Sequence, residues 1–164
     1  MDNITFIADS REQQPYSFEQ WPVNVVHAGL PAGDYSIMAF EDRAAIERKE
    51  LNDLVACLMG DNRTRFAREL ARLRSYELAA VVIEANLQDL ARGRYQSQMK
   101  PKSAMQSITA FFIRYQVPFL FCGDRRGSEY MTFSLLSKYL YEIQKRYEQA
   151  RKVGAAGRTG LNER

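Results

Sequence analysis

The feature that most constrains the fold is an uninterrupted apolar run in the middle of the chain, Ala79-Ala80-Val81-Val82-Ile83. Such a run is typical of a strand that is buried on both faces of a sheet. Apolar residues at helical spacing precede it, as at Leu51, Leu54 and Leu58, and they recur after it at Ile108 and Phe111. A strand with helices to cover both faces predicts an α/β fold.

The remaining patterns predict a mixed β-sheet flanked by α-helices in a single domain. Strands are predicted at residues 4–8, 23–27, 35–40, 44–49, 78–84 and 117–122, and helices at residues 51–58, 63–76, 86–91, 101–115 and 128–149. Residues 1–150 would form the domain. Residues 151–164 carry glycines and basic side chains but no core candidates after position 153, and they predict a flexible basic C-terminal tail.

The charged residues are unevenly distributed along the chain. Residues 1–60 carry ten acidic and four basic side chains, a net charge of −6, whereas residues 61–164 carry ten acidic and nineteen basic ones, a net charge of +9. This division fits an acidic cluster that holds a cation and a basic surface that holds a polyanion. A chance scatter of solvated charges fits it equally well.

Several classes of protein are excluded by what the sequence lacks. No apolar run reaches the roughly 18 residues of a membrane-spanning helix, and the first residues do not resemble a signal peptide. Cys57 and Cys122 lie in apolar surroundings without CxxC spacing, and His27 has no partner at zinc-ligand spacing. We therefore expect a cytoplasmic protein with reduced thiols and no structural zinc.

An acidic cluster is predicted where two neighbouring strands meet. Asp34 comes just before the third predicted strand, and Glu47 and Lys49 share one face of the fourth because alternate residues of a strand point the same way. A two-residue turn at residues 41–42 puts Asp34 opposite Lys49, and a three-residue loop moves the pairing by one residue. In either register Asp34 lies beside Glu47 and Lys49.

These residue types suit the hydrolysis of a phosphodiester. Two carboxylates from neighbouring strands can share Mg²⁺ or Mn²⁺, and a bound ion lowers the pKa of a water molecule to generate a nucleophile. A lysine beside them can orient that water or neutralise charge on a phosphate. A Gly-Asp turn and a charged Glu-Arg-Lys segment are each common on protein surfaces, so the prediction depends on their combination.

Three motifs together resemble the signature of the XPF-type structure-specific nucleases. They are ADSRE at residues 8–12, GDYSI at residues 33–37 and IERKELNDL at residues 46–54, in the family order D-x-R-E, G-D-Y and E-R-K-x-x-x-D. The resemblance covers residues 4–145. It implies a restriction-endonuclease-like fold of the PD-(D/E)XK type and cleavage of branched or flapped DNA with Mg²⁺ or Mn²⁺. Many members add helix-hairpin-helix modules, whereas this chain is more similar to small stand-alone bacterial or phage versions.

The resemblance also implies roles for individual residues. Asp34 and Glu47 would be metal ligands with the peptide carbonyl of Arg48, and Lys49 would position the attacking water. Three further positions, Asp9, Arg11 and Asp53, match family positions needed for activity, and Glu12 is a weaker candidate. Arg63 falls near the Gly-Arg that follows the first helix in the family, although the run here is GDNRTRF.

Basic residues in the second half predict a DNA-binding surface. Residues 65, 68 and 72 share one face of a helix, and no acidic residue occurs between Leu90 and Gly123. A solvated surface would look the same, but beside a nuclease motif these residues favour contacts to phosphates, which bind DNA without reading its sequence. The predicted DNA-binding residues are Arg63, Arg65, Arg68, Arg72, Arg94, Lys100 and Lys102.

The last predicted helix has an apolar face that could serve two purposes. Phe133, Leu136, Leu140, Ile143 and Tyr147 follow one another at steps of three and four residues. This face could dock on the sheet of its own domain. It could also form a homodimer, as the resemblance to XPF-type nuclease domains implies.

The motifs thus predict a divalent-metal-dependent DNA endonuclease, and the resemblance implies that it is structure-selective and active in DNA repair or recombination. One alternative is a non-catalytic DNA-binding partner of a nuclease heterodimer. Degenerate partners in the family lose the acids and the lysine, which this chain keeps. Another alternative is an RNA-directed or nonspecific nuclease that uses the same site.

Overall fold

Six strands form one mixed sheet in a computed structural model that describes residues 4–159. The strands are β1 (Ile4–Asp9), β2 (Val23–Ala28), β3 (Tyr35–Ile37), β4 (Ala44–Lys49), β5 (Leu78–Ile83) and β6 (Phe119–Phe121). Their spatial order is β2-β1-β3-β4-β5-β6. Strand β3 is antiparallel to β1 and β4, whereas β2 pairs in parallel with β1, and β5 pairs in parallel with β4 and β6. The predicted α/β fold with a mixed sheet is therefore confirmed.

Helices cover both faces of this sheet. They are α1 (Leu51–Ala56), α2 (Gly60–Leu73), α3 (Leu87–Ala91), α4 (Pro101–Tyr115) and α5 (Arg125–Thr159). One hydrophobic cluster joins α1, α2 and α4 to one face, and a second joins α5 and the segment around Phe18 to the other. Strand β5 gives Val81 and Ile83 to the first cluster and Ala80 and Val82 to the second. Burial on both faces explains its unbroken apolar sequence.

Two helices begin earlier than the sequence predicts. Helix α2 starts at Gly60, where a break was expected, and Asp61 in its first turn complements the helix dipole. Helix α5 starts at Arg125 and not at residue 128, because the Asp124 carboxylate accepts the backbone N–H of Gly127 at 2.8 Å and caps the first turn. Within residues 4–159 no helix is both long and apolar enough to cross a membrane.

Helix α5 also ends later than predicted, at Thr159 and not at residue 149, so the helix includes residues 151–159 of the predicted flexible tail. Strong helix formers such as Ala150, Arg151 and Lys152 continue the helix, and they outweigh the unfavourable helix propensity of Gly154. Residues 160–164 lie outside the described part of the chain, and a tail there stays a prediction.

The connection between β3 and β4 is longer than the predicted turn. Strand β3 ends at Ile37 and not at residue 40, and the Phe40 N–H donates to the Ile37 carbonyl at 2.9 Å within a loop of residues 38–43. Tyr35 pairs with Ile46, so Asp34 is level with Glu47 and not with Lys49. The prediction of the exact partner was wrong by two residues, which leaves Asp34 on the same face of the sheet.

Candidate active site

A cleft of about 640 Å³ opens at the edge of the sheet where β1 and β4 end and β3 begins. Helices α1 and α2 form its other side. The predicted catalytic residues on its surface are Asp9, Arg11, Asp34, Arg48, Lys49 and Asp53. Glu47 lies just beneath them, 3% exposed. Three sequence motifs spread over residues 8–54 thus meet at one cleft.

The backbone around Gly33 brings Asp34 against β4. Gly33 has a φ of 74°, and a Cβ atom there would lie 3.0 Å from the Cβ of Ala45, so this close approach requires glycine. The Asp34 N–H donates to the Ile46 carbonyl at 2.8 Å. In return the Arg48 N–H donates to Asp34 Oδ2 at 2.7 Å, which fixes the carboxylate beside the end of β4.

Glu47 and Lys49 form a buried ion pair next to Asp34. Lys49 Nζ lies 2.6 Å from Glu47 Oε1 and 5.5 Å from the centre of the Phe66 ring. Burial alone would lower the pKa of Lys49, but the contact with Glu47 more than offsets this and raises it. The ammonium group therefore stays charged at the floor of the cleft.

Burial acts in the opposite direction on the two carboxyl groups. Desolvation, followed by repulsion from Glu47, raises the pKa of Asp34 to about 8. Burial is also the main reason that the pKa of Glu47 is raised, and its neighbour Glu69 adds to the effect. Two desolvated carboxyl groups that repel each other are a favourable place for a cation.

The donor set fits a small divalent cation that keeps part of its hydration shell. Asp34 and Glu47 supply carboxylate oxygens, and the Arg48 carbonyl belongs to the same end of β4. Among the described residues, no group of three or more His, Cys, Asp or Glu side chains is arranged to hold a metal. An ion at this site would therefore depend on two carboxylates, a backbone oxygen and water.

Asp9 supports the wall of the cleft and both of its oxygens are already used. Arg11 donates from Nε to Oδ1 at 2.8 Å and from Nη2 to Oδ2 at 2.9 Å, and the Leu30 N–H donates to Oδ2 at 2.7 Å. The hydrogen bond from Arg11 is the main cause that lowers the pKa of Asp9 to about 2. Asp53 differs from Asp9, because it is exposed on the first turn of α1.

One face of α2 supplies the basic wall of the cleft. Arg65 and Arg72 line it with Glu69 between them, whereas Arg68 is exposed outside the lining. Arg63 does not line it: its Nη1 donates to the Leu58 carbonyl at 3.1 Å and to Ser107 Oγ at 3.0 Å.

Arg63 therefore joins α2 to α4, a packing role that differs from the predicted DNA contact. Three further predicted DNA-binding residues also lie outside the cleft lining. Arg94 forms an ion pair with Asp89 at 2.9 Å, and Lys100 and Lys102 are exposed at the start of α4. A DNA contact at these three positions stays a prediction.

Sequence reasoning missed several residues around the site. Glu69 could have been found, since it lies four residues after Arg65 and three before Arg72 on the same helix face. Glu84 directly follows β5, the parallel neighbour of β4, and binds the side chain of Arg48. Tyr16 and Arg125 contact Glu84 from distant segments, and no local pattern indicates them.

Comparison with protein families identifies the chain. The model of the ERCC4 domain matches residues 8–135, most of the chain and all three motifs. The chain belongs to the ERCC4 domain family. The predicted resemblance to XPF-type nuclease domains is thereby confirmed.

The solved structures of XPF from Aeropyrum pernix share this fold. One is 23% identical over 88% of this chain and 69% of the other, with a TM-score of 0.66. Another, a complex with DNA, is 23% identical over 85% of this chain and 66% of the other, with a TM-score of 0.65. No curated protein matches the sequence.

Proposed function

We propose that the chain is a divalent-metal-dependent DNA endonuclease that hydrolyses phosphodiester bonds in flapped, forked or branched DNA. The observation that carries this proposal is the convergence of Asp34, Glu47 and Lys49 where β3 begins and β4 ends, at the base of an open cleft. Membership of the ERCC4 domain family and the DNA complex of the Aeropyrum pernix protein support it.

Asp34, Glu47 and the Arg48 carbonyl would hold Mg²⁺ or Mn²⁺. When bound, the ion supplies Lewis-acid chemistry that polarises a phosphate and acidifies a water molecule. Lys49, held in place by Glu47, would orient the water and offset negative charge that grows on the phosphate. Asp34 is fixed by the Arg48 N–H and would thus meet the reacting groups without a change of conformation.

The cationic side chains around the cleft would hold the DNA backbone. Arg65 and Arg72 line one wall, and the Arg11 side chain, 75% exposed, lies on the other. Contacts of this type bind phosphates and carry no sequence information, which suits an enzyme that selects the shape of DNA. We also propose that the protein acts in DNA repair or recombination in the cytoplasm of a bacterial cell. A bacterial or phage gene would encode it.

Cleavage of labelled duplex, flap and fork DNA, with and without Mg²⁺ or Mn²⁺, tests the proposal. We expect cleavage that requires metal and is lost when Asp34→Ala is combined with Glu47→Ala. Asp34→Asn, which keeps the shape of the side chain, should lose activity as well. Binding without cleavage by the wild type would favour the non-catalytic partner, and equal cleavage of an RNA duplex would favour a nonspecific nuclease.

We also propose that α5 forms a homodimer interface. The helix docks on its own sheet through Leu136 and Leu140, yet Tyr130, Tyr141 and Tyr147 remain 52–65% exposed. Light scattering at micromolar concentration should give twice the mass of 18.9 kDa. A monomer mass at that concentration would overturn this part of the proposal.

A further inference from the structure

The side chain of Arg48 is buried on the face of β4 opposite Glu47 and Lys49. The side chain is 8% exposed, and its guanidinium group binds Glu84 through two hydrogen bonds, Nε to Oε1 at 2.7 Å and Nη2 to Oε2 at 3.1 Å. Glu12 is 3.4 Å away, and the half-exposed Glu50 is 3.0 Å away. The paired geometry makes Glu84 the strongest of these three partners.

Glu84 is itself anchored by two other parts of the chain. The Tyr16 hydroxyl donates to Glu84 Oε1 at 2.9 Å, and Arg125 Nη1 donates to the same atom at 3.4 Å. Arg125 also donates to the carbonyls of Gln14 and Pro15, at 2.8 and 3.1 Å. Glu84 is therefore a fixed point that joins β5, α5 and the segment after β1.

Arg48, the residue that Glu84 binds, also contacts the candidate metal site. The Arg48 N–H holds Asp34, and its two neighbours in β4 are Glu47 and Lys49. Because Glu84 holds the Arg48 side chain on one face of the sheet, the backbone at the end of β4 and the side chains on its opposite face stay at a fixed position. Without the contact between Glu84 and the Arg48 side chain, the Arg48 peptide could move relative to Asp34.

We propose that Glu84 is a positioning residue of the metal site, which acts through the side chain of Arg48 to fix the end of β4. This inference rests on the proposed function, since it requires that Asp34 and Glu47 bind a divalent ion. Groups that orient metal ligands typically change metal affinity by about 10–100-fold when they are replaced. Glu84 would have this effect although it lies on the opposite face of the sheet from the ion.

The test is the affinity of the DNA-free protein for Mn²⁺, measured by electron paramagnetic resonance or calorimetry. Glu84→Gln keeps the size of the side chain and removes its charge, and we expect binding about tenfold weaker or more. Glu77→Gln is the matched control, because Glu77 also lies at an end of β5 and pairs with Arg43 beside β4, but at the far end of the sheet. The control should bind Mn²⁺ like the wild type.

The outcomes separate the two proposals. Absence of Mn²⁺ binding by the wild type would overturn both the metal site and the role of Glu84. Binding by the wild type and equal binding by Glu84→Gln would overturn the role of Glu84 alone. Circular dichroism and thermal unfolding of each variant show whether it is folded at the temperature of the measurement, because a purely structural role lowers Tm and leaves the affinity of the folded protein unchanged.

Should Glu84→Gln not fold, Tyr16→Phe makes the same test more mildly. It removes only the hydroxyl that donates to Glu84, in a side chain that is 2% exposed and packs in the hydrophobic core. We expect about two- to fivefold weaker Mn²⁺ binding, below the range for direct orienting groups. Unchanged affinity in this variant would then overturn the proposal.

Discussion

Asp34 and Glu47 are carboxyl groups that the fold holds where ionisation is unfavourable. Asp34 has a pKa of about 8 because it is buried near another acid, and burial also raises the pKa of Glu47. Between pH 4 and pH 8 the unfolded chain ionises at Asp34, while the folded, metal-free protein retains the proton there. The unfolded state then binds fewer protons, so the free energy of unfolding falls as pH rises across this range.

Replacement of the Asp34 carboxyl by a group that cannot ionise should stabilise the metal-free protein. We expect Asp34→Asn to raise the free energy of unfolding at pH 8 by at least about 1 kcal/mol, or about 2–4 °C in Tm for a domain of this size. The gain should shrink towards pH 4, near the ordinary pKa of 3.8 for Asp34. The new amide oxygen can still accept the Arg48 N–H.

Thermal unfolding in the presence of a chelator, from pH 4 to pH 8.5, measures this effect. Asp53→Asn is the control, since Asp53 is an exposed acid of the same cleft and its loss should leave Tm nearly unchanged. A Tm of Asp34→Asn below that of the wild type at pH 8 would contradict the prediction.

At the scale of elements, only the part of the site that follows from the alternation of side chains along a strand could be predicted. Glu47 and Lys49 share a face of β4 whatever the length of the turn. The predicted cluster around Asp34 was therefore correct although the predicted register was wrong by two residues. The exact pairing depends on the hydrogen bonds of the 38–43 loop, which no short pattern encodes. Glu84 and Arg125 were missed because their contacts with Arg48 and Gln14 join positions 36 and 111 residues apart.

The start of α5 illustrates a further long-range constraint. A Cβ atom at Gly127 would overlap the carbonyl oxygen of Cys122, so the first turn of α5 lies directly against the end of β6. We expect Gly127→Ala to lower the free energy of unfolding by about 2–3 kcal/mol. The gain of about 1 kcal/mol from replacing glycine by alanine in a helix is too small to offset the clash.

Urea unfolding of Gly127→Ala and Gly29→Ala compares a crowded glycine with an open one. No atom lies within 4 Å of a Cβ atom built at Gly29, and its φ is not positive. The midpoint for Gly29→Ala should stay near that of the wild type. Equal midpoints for the two variants would show that the start of α5 can move away from β6 at little cost.

At the scale of the whole molecule, the uneven distribution of charge along the sequence gives the cleft an acidic floor and a basic wall. Asp34 and Glu47, from the acidic first part of the chain, lie at the floor of the cleft, and Arg65 and Arg72 from the basic second part stand on its wall. Charge alone could not predict which arginines face the cleft, because Arg63 and Arg68 belong to the same helix and point elsewhere.

This arrangement predicts how DNA binding depends on salt. Arg65→Ala combined with Arg72→Ala should weaken binding to duplex DNA and lower the slope of log affinity against log salt by nearly two, at about 0.9 per lost phosphate contact. Fluorescence anisotropy in a chelator, which prevents cleavage, measures both quantities. Arg146→Ala with Arg151→Ala removes equal charge from the exposed second half of α5 and should keep the slope. A slope that is the same in the cleft variant and the wild type would contradict the prediction.

Every residue that lines the cleft lies between Asp9 and Arg72, whereas the ion pair behind it needs Glu84 and Arg125. A ribosome completes the first group early, and the α5 anchor follows only after some fifty further positions of the chain have been added. The cleft residues are thus translated before the elements that secure their geometry. A nascent chain that has not yet been extended to Arg125 would carry the residues of the cleft without their final alignment.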